Sequence, residues 1–193
     1  MDTRAVDASD PEREARDALA RGDREGALAA LMRIYGSPLY RFCRQMVADG
    51  DLALDVQQTT FLQAFEGLAG FGGRSSFRAW LYGIARHRCL DAIKSARRRE
   101  KRFALAGELP EKPAPGKEAD VSLGERARTE ALRRCLADLP PHVRDAVLLR
   151  FQEGFSYEQM SRMLHERAPT LQARVARALP VLRRCLEGGG FAA

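Results

Sequence analysis

A chain of 193 residues holds one domain or two small ones and is short for an elaborate catalytic architecture. With 32 Lys plus Arg against 26 Asp plus Glu the formal charge is +6, and 45% hydrophobic against 30% charged residues excludes global disorder. The longest stretch free of charged side chains, residues 56–65, is half of the ~20 residues that a membrane-spanning helix needs, and the acidic N-terminus, broken by Pro11, has no apolar run for a secretory signal. A cytoplasmic protein without membrane insertion is expected.

In chain order, Leu28, Leu31, Met32, Tyr35, Leu39, Phe42, Cys43, Met46 and Val47 recur at steps of three and four, which predicts a long amphipathic helix over 24–47 with Pro38 as a local bend. Asp49-Gly50-Asp51 ends it. A second helix is predicted over 53–68 on the stripe Val56, Thr60, Phe61, Ala64, Phe65 and Leu68, stopped by Gly70, Gly72 and Gly73. A third spans 76–98, burying Phe77, Trp80, Leu81, Ile84, Ala85, Cys89, Ala92 and Ile93. Three such helices with short connections form a bundle. Residues 103–121 hold three prolines and little to bury and read as a flexible linker. Beyond it, Ser122 and Glu125 have capping-box spacing for a helix to about Asp138. Pro140 and Pro141 restart the chain toward Gln152 with Val143, Val147, Leu148 and Phe151 as the apolar face. Ser156 and Gln159 cap a short helix to Leu164, and a further helix from Thr170 is expected to end at Pro180. The short helix, tight turn and second helix match the helix-turn-helix pattern.

The charge is unevenly spread. Residues 1–73 carry 8 basic and 12 acidic side chains, whereas 74–102 carry ten basic against two acidic. Residues 131–193 carry ten basic against six acidic. A block as dense as 74–102 either meets phosphate, releasing condensed counterions, or forms a solvated helix end. The four cysteines lie about fifty residues apart with no C-x-x-C pair, so they are read as buried thiols rather than as a disulfide framework or metal site. With no phosphate-cradling Gly-rich loop, no H-E-x-x-H and three dispersed histidines, neither an enzyme nor a cofactor is expected.

Three segments carry a resemblance: LDVQQTTFLQAF (Leu54 to Phe65), SFRAWLYGIARHRCLDAIKSARRR (Ser76 to Arg99) and LADLPPHVRDAVLLRFQEGFSYEQMSRML (Leu136 to Leu164). Together, and in this order across a linker, they resemble bacterial RNA polymerase sigma factors of the small extracytoplasmic-function type. Where that family has Asn in its A-R-N motif this chain has His87, where it has a turn glycine it has His165, and Gln172 and Ala173 replace its basic and small polar residues in the recognition helix.

The resemblance implies an all-α protein of two small helical domains, with residues 24–102 docking on polymerase and holding the minus-ten element, 103–121 linking, and 122–187 forming a helix-turn-helix domain for the minus-thirty-five element. By the same resemblance Asp55, Gln58, Phe61, Leu62 and Phe65 would bind core RNA polymerase. Phe71, Arg74, Ser75, Arg78, Arg86, His87, Lys94, Arg97 and Arg98 would meet the non-template strand of promoter DNA, and Thr170, Gln172, Arg174 and Arg177 the duplex groove. His87 either stacks on or donates to a base, standing in for the Asn, or simply faces solvent; Trp80 reads as core. The implied partners are core RNA polymerase, promoter DNA and an anti-sigma factor. A stand-alone DNA-binding regulator and a sigma-like adaptor with weakened promoter reading are the alternatives.

Overall fold

The computed structural model describes residues 10–106 and 123–190, and every regular element among them is helical. The expected linker lies outside the described residues apart from 103–106, as do Ser122 and the side chain of Glu125, the two members of the expected capping box. The helices are α1 (Arg13–Ala20), α2 (Arg24–Val47), α3 (Gly50–Leu68), α4 (Phe77–Ala106), α5 (Leu123–Ala137), α6 (Pro141–Val147), α7 (Tyr157–Leu164) and α8 (Ala168–Gly188), with a π-helical turn at Leu148–Gln152 between α6 and α7.

The first unit packs α2, α3 and α4 on one another. Leu31, Leu39, Phe42 and Met46 from α2 meet Val56, Phe61, Ala64 and Leu68 from α3 and Phe77, Leu81, Tyr82 and Ala85 from α4, all buried. Local chemistry sets the helix starts. The carboxylate of Asp23 accepts from Gly26 N and that of Asp49 from Leu52 N, each satisfying an amide that the first turn leaves without a carbonyl. Helix α2 ends on Ala48, which adopts a left-handed φ of 60° while exposed. A Cβ in that region costs about 1 kcal/mol, so Ala48→Gly is expected to raise the unfolding free energy by about that much, read as a shift in urea midpoint.

An N-terminal helix absent from the expectation, α1, packs Ala15 and Ala18 against α2. Just before it, Glu12 is buried, and its carboxylate gathers four donors. Oε1 accepts from Tyr35 Oη at 2.7 Å and Arg78 N at 2.8 Å; Oε2 accepts from Arg16 Nη1 at 3.1 Å and Phe77 N at 3.2 Å. Phe77 and Arg78 open α4, so a residue 65 positions away caps that helix and adds negative charge at its positive end. Burial and the Glu12 carboxylate push the Tyr35 phenol well above its ordinary range.

In the second unit α5, α6, α7 and α8 enclose Leu136, Leu139, Ala146, Leu149, Met160, Leu171, Val175 and Leu182. The Ser156/Gln159 capping box forms as the spacing predicts. Three expectations fail here. Phe151 does not join Val147 and Leu148 on the core, because the π-helical turn widens the backbone repeat and rotates Phe151 outward to 59% exposure. Pro180 does not end α8. Its fixed φ suits a helix, the carbonyl it deprives belongs to the exposed Ala176, and the buried Ala178 and Leu182 hold the helix to the core on both sides. Cys135 and Cys185 are not thiols but a disulfide joining α5 to α8; sequence spacing cannot show that two distant helices meet side by side. Cys43 and Cys89 are buried thiols, and their mutual hydrogen bond, followed by burial, drives the Cys89 pKa up.

The two units do not stand apart. Their buried side chains form one continuous cluster, with Tyr82 of α4 set edge-on between Phe42 of its own unit (5.3 Å between centroids) and Phe155 of the other (5.5 Å).

Candidate polymerase and nucleic-acid interfaces

Along α3 the side chains divide by face. Leu54, Asp55, Gln58 and Leu62 point to solvent, while Phe61 is buried and Phe65 half-buried beneath the Arg24 guanidinium. Leu62 is 66% exposed and Leu54 46%, in a segment without charge on that flank after Asp55. Met32 of α2, 47% exposed, continues the same surface, and with Leu28, Gly36, Gln57, Gln58, Phe61 and Leu62 it lines an open apolar groove between α2 and α3. Of the five residues singled out on α3, Asp55, Gln58 and Leu62 are presented, whereas Phe61 lines the groove from within and Phe65 lies beneath Arg24 outside it. Met32 and Leu54 belong to this surface but were missed, since helical periodicity alone assigned Met32 to the core stripe.

The loop 69–76 and α4 build a second face. Phe71 stacks on Phe77 (4.3 Å, 18° between planes) and leans on Trp80 at 4.9 Å, so its ring is tied into a cluster rather than offered to a ligand. Trp80 in turn lies so close to α3 that a Cβ at Gly67 would fall 2.8 Å from its ring, which is why glycine is required there. Arg74 and Ser75 are exposed, and with Gln63, Trp80, Gly83, Ile84 and His87 they line a pocket whose opposite wall is Gln159, Arg162 and Met163 of α7. His87 is exposed, with Nε2 3.5 Å from Asp91 Oδ2. Lys94, Arg97 and Arg98 follow on the open remainder of α4.

Arg78 and Arg86 are engaged elsewhere. Arg86 Nε donates to Asp145 Oδ2 at 2.5 Å, and Asp145 is fully buried. Burial pushes that carboxyl above its ordinary range and Arg86 opposes the shift. Arg78 donates to the Glu153 carbonyl, and its guanidinium lies 4.3 Å above the Phe155 ring.

On α8, Thr170, Gln172 and Arg177 are exposed, but the four predicted residues do not share one face. At 100° per residue Thr170, Arg174 and Arg177 fall within about 60° of one another, while Gln172 lies on the opposite flank, beside the Ala176, Leu179 and Arg183 side of an apolar groove completed by Leu132, Leu136 and Phe151. Arg174 is paired through both terminal nitrogens with Glu166 and donates to the His142 carbonyl at 3.3 Å. The pairing lowers the Glu166 pKa and raises that of Arg174. His165 holds the turn in a left-handed φ of 54° without the glycine such a position favours.

Residues 31–99 match the family Sigma-70 region 2, and residues 129–179 match Sigma-70, region 4. The chain is 32% identical over 176 residues to the ECF RNA polymerase sigma factor SigC of Mycobacterium tuberculosis, covering 91% of this chain and 92% of that protein. It is 30% identical to the RNA polymerase sigma-H factor of Pseudomonas aeruginosa over 174 residues, 86% of this chain and 89% of that one. Its fold resembles that of CnrH in complex with the cytosolic domain of CnrY (TM-score 0.68, 22% identity, 93% and 99% of the two chains) and that of the sigma factor RpoE bound to the anti-sigma factor NepR from Bartonella quintana (TM-score 0.63, 24% identity, 81% and 94%).

Proposed function

The chain belongs to the sigma-70 family of RNA polymerase sigma factors, in its extracytoplasmic-function group, and from that premise we propose which of its surfaces perform the tasks of an alternative sigma factor. Such a factor is a non-catalytic initiation factor that joins core RNA polymerase and directs it to promoters; the working compartment is the cytoplasm, where polymerase and promoter DNA meet. Leu54, Asp55, Gln58 and Leu62 of α3, with Met32 of α2, form the polymerase-docking surface. The observation that carries this is the exposure of three large apolar side chains around one carboxylate on a rigid helix pair, since apolar side chains grouped on a surface mark an interaction site.

The loop around Arg74 and Ser75 and the face of α4 carrying His87, Lys94, Arg97 and Arg98 hold the displaced strand. Basic residues track its backbone, and the pocket beside Trp80 and His87 receives an unstacked base. The proposed chemistry is differential binding: a surface that fits single-stranded but not duplex DNA favours the melted state. On α8, Thr170 and Arg177 provide the free groove contacts, while Arg174 is held by Glu166 and Gln172 faces away. This supports a minus-thirty-five contact that positions more than it specifies. An anti-sigma factor is a further proposed partner, as it is of the RpoE whose fold this chain resembles.

The test is run-off transcription from genomic fragments with purified protein and core polymerase, together with binding of two variants to core enzyme. Leu62→Asp removes an apolar contact of about 1.5–3 kcal/mol and is expected to weaken the complex roughly ten- to hundredfold. Asp55→Lys is expected to act in the same direction with a stronger salt dependence. Unchanged affinity in both variants would remove α3 from the interface.

A further inference from the structure

We propose that the pocket between α3 and α4 selects the base it receives through Gln63, a residue outside those singled out from the sequence, and that Arg88 sets this selectivity by holding the Gln63 amide in one orientation. The preferred base is one that presents two adjacent acceptors, guanine or cytosine. This rests on the reading of the pocket beside Trp80 and His87 as the seat of an unstacked base, and it names the group that reads that base.

Gln63 sits on the side of α3 that packs on α4. Gly67, one turn later on the same side, lies so close to α4 that a Cβ there would fall 2.8 Å from the Trp80 ring, and Gln63 is half-buried at the edge of that contact. From α4, Arg88 Nε donates to Gln63 Oε1 at 2.7 Å. Chemistry fixes the orientation of the amide as well as distance does, because a guanidinium has donors only and can face only the carbonyl end. The amide nitrogen, Nε2, is left with two hydrogens and no partner among the described residues, on a side chain that lines the pocket. Asp91 steadies Arg88 in turn, with its Oδ2 3.8 Å from Arg88 Nη1 and 3.5 Å from His87 Nε2. The same carboxylate engages that nitrogen of His87, which leaves Gln63 Nε2 as the donor held in place on this wall.

The consequence is a change in what a glutamine reads. An unrestrained glutamine offers its carbonyl and its amine side by side and pairs with adenine, which shows an amine beside a ring-nitrogen acceptor. With its carbonyl held by Arg88, Gln63 offers donors only. Guanine sets O6 beside N7 and cytosine sets O2 beside N3, so either base accepts from Nε2 at two neighbouring points. Adenine sets its amine beside the acceptors on the corresponding edges, and thymine sets an N–H between its two carbonyls, so either meets a donor with a donor. The surroundings have the same sign. No carboxylate lines the pocket, exposed Arg74 has no ion pair among the described residues, and Ser76 Oγ accepts from Ala79 N at 3.1 Å, so its hydroxyl hydrogen is what it has left to offer. Trp80 and Ile84 supply apolar surface for the base to rest on. At about 620 Å³ the cavity has room for a ligand larger than any base, so hydrogen bonding rather than size carries the selection.

The test is equilibrium binding of fluorescent single strands, abasic except for one base, to the full chain assembled with core polymerase, with core polymerase alone as background. A single base removes any ambiguity of register. Each protein is read as a ratio to its own affinity for the fully abasic strand, so a change in backbone contact cancels. The parent is expected to bind the guanine or the cytosine strand roughly tenfold more tightly than the abasic strand, and the adenine and thymine strands less than about threefold more tightly. Gln63→Ala is expected to bring the four bases within about threefold of one another. Arg88→Met frees the amide and is expected to raise adenine at least to the level of guanine, whereas Arg88→Lys keeps a donor to Oε1 and retains the parent order. A parent that binds no base better than the abasic strand overturns the reading of the pocket as a base site, and the selectivity with it. Equal gains for all four bases leave that reading standing and overturn the selectivity, as does a preference for adenine or thymine. A guanine or cytosine preference that survives Gln63→Ala overturns the role of Gln63, and an Arg88→Met chain that keeps the parent order overturns that of Arg88.

Discussion

Glu12→Ala is expected to lower the unfolding free energy of the protein by about 3–5 kcal/mol, among the largest effects of any single substitution outside the apolar core. The carboxylate is buried and receives the Tyr35 hydroxyl, the first two amides of α4 and the Arg16 guanidinium. Alanine leaves the hydroxyl and both amides without an acceptor where water has little access, and each such buried group costs about 1–3 kcal/mol. Glu12→Gln keeps the shape and one acceptor oxygen but presents an amide donor toward groups that already donate, so an intermediate loss is expected. Urea unfolding followed by circular dichroism measures both, and a loss under about 1 kcal/mol for Glu12→Ala would show that α4 needs no external cap. A functional effect should accompany it. The end of α4 that Glu12 holds also carries Phe77, whose ring stacks on Phe71 of the loop that bears Arg74 and Ser75, so Glu12→Ala is expected to weaken oligonucleotide binding without touching the α3 surface.

The second large effect concerns the pair Cys135 and Cys185. Their bond closes a loop of 50 residues that contains α6, α7 and most of α8. In the chain-entropy account, closing a loop of that length stabilises a fold by about 4 kcal/mol, and measured values centre on about 2–4 kcal/mol. The double variant Cys135→Ser and Cys185→Ser, or the parent protein under a dithiol reductant, is expected to lose about that much and to melt α5 away from α8 first. Thermal unfolding with and without reductant measures it. A reductant-independent melting temperature in the parent would show that the pair is not bonded in solution. The same helices line the apolar groove around Leu136, Phe151 and Leu179, so that groove is expected to lose definition on reduction.

Sequence patterns that act over three or four residues were legible in advance. The stripes of α2, α3 and α4, the Ser156/Gln159 capping box and the start of α6 at Pro141 are set by side chains close to the backbone they control. The sigma-factor resemblance was legible for the same reason, since its motifs are short runs with fixed spacing. Of the proposed polymerase-docking surface, Asp55, Gln58 and Leu62 were named from the motif, but Leu54 and Met32 were not, because only the packed bundle shows which edge of an apolar stripe stays uncovered.

What the sequence by itself determined is the helical architecture of each unit, its family, and the concentration of positive charge in residues 74–102. Tertiary structure alone decided the pairings that cross long stretches of chain: Glu12 with the start of α4, Cys135 with Cys185, Arg86 with Asp145, and Arg144 with the end of α2. It also turned Phe151 outward. The physical reason is one of range. Helix propensity, capping and amphipathic period act within a turn or two, whereas a buried charge or thiol finds its partner only after the helices have packed, and nothing in local spacing encodes which helix will lie beside it.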